Sequence, residues 1–194
     1  MKTSLSIFPL FLSLLLLPSL SPANAVLTKS GISFNTTHFG VPFMGYPILD
    51  GARESDSSLT NKTATLTYTN GVQIICTLAT NTLLYCATDA IPSPTPVSEY
   101  KSELHLSSGL GAYGTRWRIN DTVGAFPRDI RDPDSGKTLF HGTATTLTLL
   151  APSGATFSII FPESLFTLVD KREYSRVILT ATSPSPPTII IFGN

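Results

Sequence analysis

Between Ala64 and Ala87 the chain falls into three short apolar-containing runs broken by turn residues, the first of them alternating apolar and polar. A period of two is a strand period, so this stretch cannot be an amphipathic helix. Ala64-Thr-Leu-Thr-Tyr-Thr69 alternates strictly. Asn70-Gly71 predicts a type I′ turn, because both central residues of that turn need positive φ. Val72 to Leu78 is the return strand, a second turn lies around Thr80-Asn81, and Leu83 to Ala87 completes a three-stranded meander. Cys76 and Cys86 fall on its second and third strands, and their midpoint, residue 81, is inside the turn. They should therefore face each other, which predicts a disulfide. Its loop is short, so its stabilisation is modest, about 2–3 kcal/mol.

The same texture runs through the rest of the chain. Gly31 to Tyr46 mixes aromatics with Gly and Pro and suits short extended pieces, not a helix. Asp50 to Lys62 is polar and reads as a loop, and Ile91-Pro-Ser-Pro-Thr-Pro96 as a crossing loop or hinge. Tyr100 to Leu106 and Thr115 to Ile119 are expected strands flanking a glycine-rich bend, Ser107 to Gly114. Asp132-Pro-Asp-Ser-Gly-Lys137 is a turn by composition. Leu139 to Gly142, Thr145 to Leu150 and Ala155 to Phe161 follow, with Leu147 and Leu149 set against Phe157 and Ile159 in a hairpin around Pro152-Ser153-Gly154. Ser164 to Val169, Tyr174 to Thr182 and Thr188 to Phe192 are the last expected strands. About ten short strands at roughly 8–12-residue spacing, with no helical pattern, predict an all-β fold. The expected architecture is an antiparallel β-sandwich, with barrel-like closure as the other option.

The first 25 residues stand apart. Lys2, a leucine-rich block from Leu5 to Leu20 and Ser21-Pro-Ala-Asn-Ala25 make a charged start, an apolar middle and a small-residue cleavage site. Pro9 and Pro18 interrupt an apolar block already short for a bilayer span. The expectation is a signal peptide over residues 1–25, a secreted extracellular protein, and one domain over 26–194. The run ending at Gly193-Asn194 is either a closing strand or the point where a longer chain has been cut.

Losing Lys2 would leave 12 basic against 13 acidic residues, a net charge of −1. That offers no field for nucleic acid, and no membrane insertion is expected once the leader is removed. Asn35-Thr-Thr, Asn61-Lys-Thr and Asn120-Asp-Thr are three sequons, so glycosylation is expected at Asn35, Asn61 and Asn120.

No nucleophile elbow, zinc-protease helix or phosphate loop occurs. No catalytic residue is assigned, and no cofactor or metal is expected. His38, His105 and His141 are far apart. Acids gather in two loops, Asp50/Glu54/Asp56 and Asp129/Asp132/Asp134. Such clusters are usually turn chemistry, although glycoside hydrolysis needs two carboxylates across a cleft.

Tyr113-Gly-Thr-Arg-Trp-Arg-Ile-Asn120 carries the candidate ligand-binding residues. In a strand, Tyr113, Thr115, Trp117 and Ile119 share one face and Arg116 and Arg118 the other. The favoured reading buries Trp117 and wets the arginines. A sharper reading stacks Trp117 or Tyr113 on a sugar ring. In a variant, Arg116, Arg118 and Arg128 grip a carboxylate, as in uronic-acid polymers. Trp117 to Pro127, followed by Thr145 to Pro162, resembles in texture the β-sandwich modules attached to secreted carbohydrate-active enzymes. That likeness fixes no family and assigns no catalytic residue. The leading expectation is a secreted, non-catalytic module binding extracellular polysaccharide or cell-surface glycan. A structural or protein-interaction sandwich and a small polysaccharide hydrolase or lyase are the rivals.

Overall fold

The computed structural model describes residues 24–88, 96–111, 113–129, 131–133, 135–172 and 176–193. Residues 1–23, where a signal peptide is expected, most of the Pro-rich segment and Asp134 lie outside them. The described strands are β1 (Asn24–Thr28), β2 (Gly31–Asn35), β3 (Phe43–Gly45), β4 (Ile48–Leu49) and β5 (Glu54–Leu59). Then come β6 (Thr63–Tyr68), β7 (Gln73–Thr80), β8 (Leu83–Thr88), β9 (Tyr100–Ser107), β10 (Arg116–Ile119) and β11 (Thr122–Ala125). The last four are β12 (Thr138–Leu150), β13 (Thr156–Lys171), β14 (Arg176–Ser183) and β15 (Thr188–Gly193). One 3-10 turn spans Ser108–Leu110. The fold is all-β and antiparallel, with near-closure like a barrel.

The main path runs β1-β2-β3-β9-β14-β13-β15-β8-β7-β6-β5. Its pivot is β13, whose start, Phe157–Ile160, pairs with β15 and whose end, Leu165–Lys171, pairs with β14. The inward face changes parity between these halves. Phe157, Ile159 and Phe161 are buried in the first half, and Ser164, Phe166, Leu168 and Asp170 in the second. A matching irregularity at Ala144/Thr146 in β12 absorbs the change. The two wings meet again where the Ala25 N–H donates to the Asn81 carbonyl and the Ser57 hydroxyl to the Lys29 carbonyl. Phe157 joins the layers, its ring 6.1 Å from Phe34 and 6.2 Å from Phe39. Truncating a buried Phe of this kind to Ala costs about 3–5 kcal/mol.

The meander and the disulfide stand as expected. Cys76 and Cys86 are cross-strand partners, with Cα atoms 4.0 Å apart and the sulfurs bonded. Leu147 pairs with Ile159 and Leu149 with Phe157, as the hairpin around Pro152 requires.

Several local expectations fail for identifiable reasons. The Asn70-Gly71 turn is not type I′, because only Gly71 has positive φ (82°). The Gly71 N–H closes the turn on the Tyr68 carbonyl, and the Val72 N–H is taken by the Asn70 side chain. Half of the polar segment 50–62 is β5, an edge strand that is polar on both faces and so shows no alternation. Thr122–Ala125, not among the expected strands, pairs with β10. Pro162 does not end a strand. It sits between the β15 and β14 pairings of β13, where neither ladder needs its missing N–H.

Candidate functional site

β10 alternates as its sequence demands, with Trp117 and Ile119 inward and Arg116 and Arg118 outward. Trp117 pairs with Gly124 of β11 and Leu149 of β12. It is 5 % exposed, and its ring meets Phe140 edge-on at 6.2 Å. Its Nε1–H is buried with no hydrogen-bond acceptor. Trp117 therefore takes the core position, and no face of its indole is open to a sugar.

Tyr113 is the opposite case. The bend before β10 is built by the Ser107 side chain accepting from the Gly109 N–H, with the Tyr113 N–H on the Gly109 carbonyl and the Thr115 N–H on the Leu110 carbonyl. Gly111 presses on the Pro127 carbonyl so closely that a Cβ would overlap it. Gly109 lies beside the Tyr113 ring, and a Cβ there would sit 2.9 Å from Cε2. The Cδ2–Cε2 edge of the ring thus lies close to a glycine, while the residue stays 74 % exposed. An exposed tyrosine ring is a flat apolar platform with a polar hydroxyl at its rim.

A groove lies on each side of Thr115, which is buried and lines both. The first, about 630 Å³, is walled by Arg116, Phe126, Pro127, Arg128, Asp132 and Lys137. The second, about 600 Å³, holds Tyr113 with His38, Phe39, Leu110, Pro152 and Ser153. Arg118 opens onto a third, about 400 Å³, with Asn120, Asp121 and three threonines of β12. Of the arginines named from the sequence, Arg116 and Arg128 are thus brought together and Arg118 is not. His38 and Pro152 come from distant loops and carry no sequence signal linking them to Tyr113.

The loop from Arg128 to Lys137 is held from beneath. Arg172 and Asp170 form a buried ion pair, with side chains 3 % and 0 % exposed and Nε 2.9 Å from Oδ1. Arg172 Nη2 also donates to the Asp129 carbonyl at 2.8 Å, and the Asp170 N–H to the Lys137 carbonyl. Within the loop, the Asp129 side chain accepts from the Arg131 N–H and the Asp132 side chain from the Arg128 N–H. These acids act as turn acceptors.

In the other acidic cluster, the Ser98 hydroxyl donates to Asp50 and lowers its pKa, against a desolvation effect. Asp56 accepts from the Ser57 N–H. Glu54 has a buried oxygen without a hydrogen bond. It also acts electrostatically on Tyr46 and Tyr68. No group of three or more His, Cys, Asp or Glu is gathered among the described residues. His38 lies edge-on to Phe39, His141 bonds Thr167, and Arg176 donates to His105 Nδ1 at 2.8 Å. Burial, and then Arg176, hold His105 below its usual pKa.

Asn35, Asn61 and Asn120 are all exposed. Asn120 turns the chain between β10 and β11 with φ of 49°, and its Nδ2 donates to the Thr143 carbonyl. No helix among the described residues is long and apolar enough to cross a membrane. Comparison of the chain with family models, curated proteins and solved structures returned no match.

Proposed function

We propose that this is a secreted, non-catalytic module that binds extracellular glycan through Tyr113. The observation that carries the reading is the Tyr113 ring, set beside Gly109 and exposed in the second groove. Such a ring meets the apolar C–H face of a pyranose, and the bend holds the backbone that carries it. Secretion and glycosylation belong to the same reading. Its supports are the leader-like start, the disulfide and three exposed sequon asparagines.

Binding is favoured over hydrolysis by the acids. Among the described residues, each of the three grooves is lined by at most one carboxylate, Asp132 in the first and Asp121 in the third. Hydrolysis by the two-carboxylate route needs a facing pair. A second reading, a protein-interaction module, draws on β11, which pairs with β10 alone and exposes Val123. A free strand edge is a ready docking element for an extended partner segment.

A glycan array, with pull-downs on insoluble cell-wall polysaccharides, tests the proposal. Binding of the purified protein to at least one glycan class is expected. A flat array and empty pull-downs would overturn the proposal and favour the β11 reading.

A further inference from the structure

We infer that the groove beside the Tyr113 platform selects carboxylate-bearing glycans, with Arg116 and Arg128 reading the uronate group. The inference rests on the glycan-binding reading and adds the chemical class of the ligand.

Arg53 and Lys101 are bound to Glu103, Arg172 to Asp170, and Arg176 to His105. Arg116 and Arg128 are exposed and line one groove, and neither guanidinium is engaged by a carboxylate among the described residues. Among the described residues the acid of that groove is Asp132, whose Oδ2 accepts from the Arg128 backbone N–H. The whole chain is electrically balanced, so Arg116 and Arg128 are a local feature and not part of a general basic surface.

A planar guanidinium fork matches a carboxylate in bidentate fashion, which a neutral hydroxyl-only sugar cannot exploit. The platform lies next door, across Thr115, which lines both grooves. An acidic polysaccharide presents both features at once, apolar ring faces and regularly placed carboxylates. The buried Asp170–Arg172 pair fixes the wall by holding the Asp129 carbonyl, next to Arg128.

The test uses the purified protein and four soluble polymers: polygalacturonate, its fully methyl-esterified form, dextran and dextran sulfate. Polygalacturonate should bind, with affinity falling as salt rises, and the ester should bind about tenfold or more weaker. The double variant R116Q/R128Q, checked for unchanged melting, should lose that preference. Equal binding of polygalacturonate and its ester would overturn the uronate assignment while leaving glycan binding intact. Equal binding of dextran sulfate would overturn it too, by showing an unselective anion groove. Failure of all four polymers would overturn it as well, and the array would then say separately whether glycan binding survives.

Discussion

The ring of Trp117 lies on Gly124, in the space a side chain at Gly124 would occupy. The two residues are cross-strand partners in β10 and β11, so the only tryptophan of the chain is roofed by a strand that has no side chain there. Replacing Gly124 with Ala or Val should destabilise the protein by about 1–3 kcal/mol, the usual range for overpacking. Tryptophan emission reports it directly. The native protein should emit blue-shifted light that acrylamide quenches poorly, and the G124V variant should emit to the red and unfold at lower denaturant. A G124V variant as stable as the parent would show that β11 does not cover the indole.

The Asp170–Arg172 pair should behave as buried charge does. R172M leaves the Asp170 carboxylate without its partner and should cost about 3–5 kcal/mol. The double variant D170L/R172M should recover most of that loss, since desolvation of both charges disappears together. Denaturation of the two single variants and the double variant gives the coupling. Additive losses would mean the pair is not a unit.

The disulfide closes a loop within one hairpin, with Cys76 and Cys86 ten residues apart in sequence. The variant C76A/C86A should therefore remain folded and lose only about 2–3 kcal/mol. A protein that fails to fold without it would show the meander to be less self-sufficient than its packing implies.

Alkaline titration should find a loss of stability from two tyrosines. Burial, helped by Glu54, pushes Tyr46 up to about 12 and also raises Tyr68. Their hydroxyls donate to the carbonyls of Thr28 and Pro47, which only the neutral phenol can do. A folded-state pKa above the unfolded one, about 10, means that the unfolded chain sheds protons first. The stabilisation is therefore complete below about pH 10 and drains away as pH rises toward 12. Melting temperatures across that range should fall less for Y46F than for the parent. Equal falls would remove Tyr46 from the account.

Much of the fold was legible where period two holds. The Ala64–Ala87 meander, the Cys76–Cys86 pair and the Leu147/Leu149 to Phe157/Ile159 register follow from local spacing alone. What escaped lacks a one-sided pattern. Glu54–Leu59 is wet on both faces, and Thr122–Ala125 is too short to alternate visibly. The continuity of β13 through Pro162 depends on which neighbours pair where, a tertiary fact. The site divides in the same way. The alternation of Arg116, Trp117 and Arg118 is local and was readable, including the burial of Trp117. The platform at Tyr113 depends on Gly109 beside it, and its groove on His38 and Pro152 from distant loops. No spacing rule joins those residues.

Native affinity electrophoresis with embedded neutral and uronic polysaccharides tests whether Tyr113 is a sugar platform. The parent protein should be retarded by at least one of them, Y113F should behave like the parent, and Y113A should run as if no polysaccharide were present. A Y113A variant retarded as strongly as the parent would contradict the account.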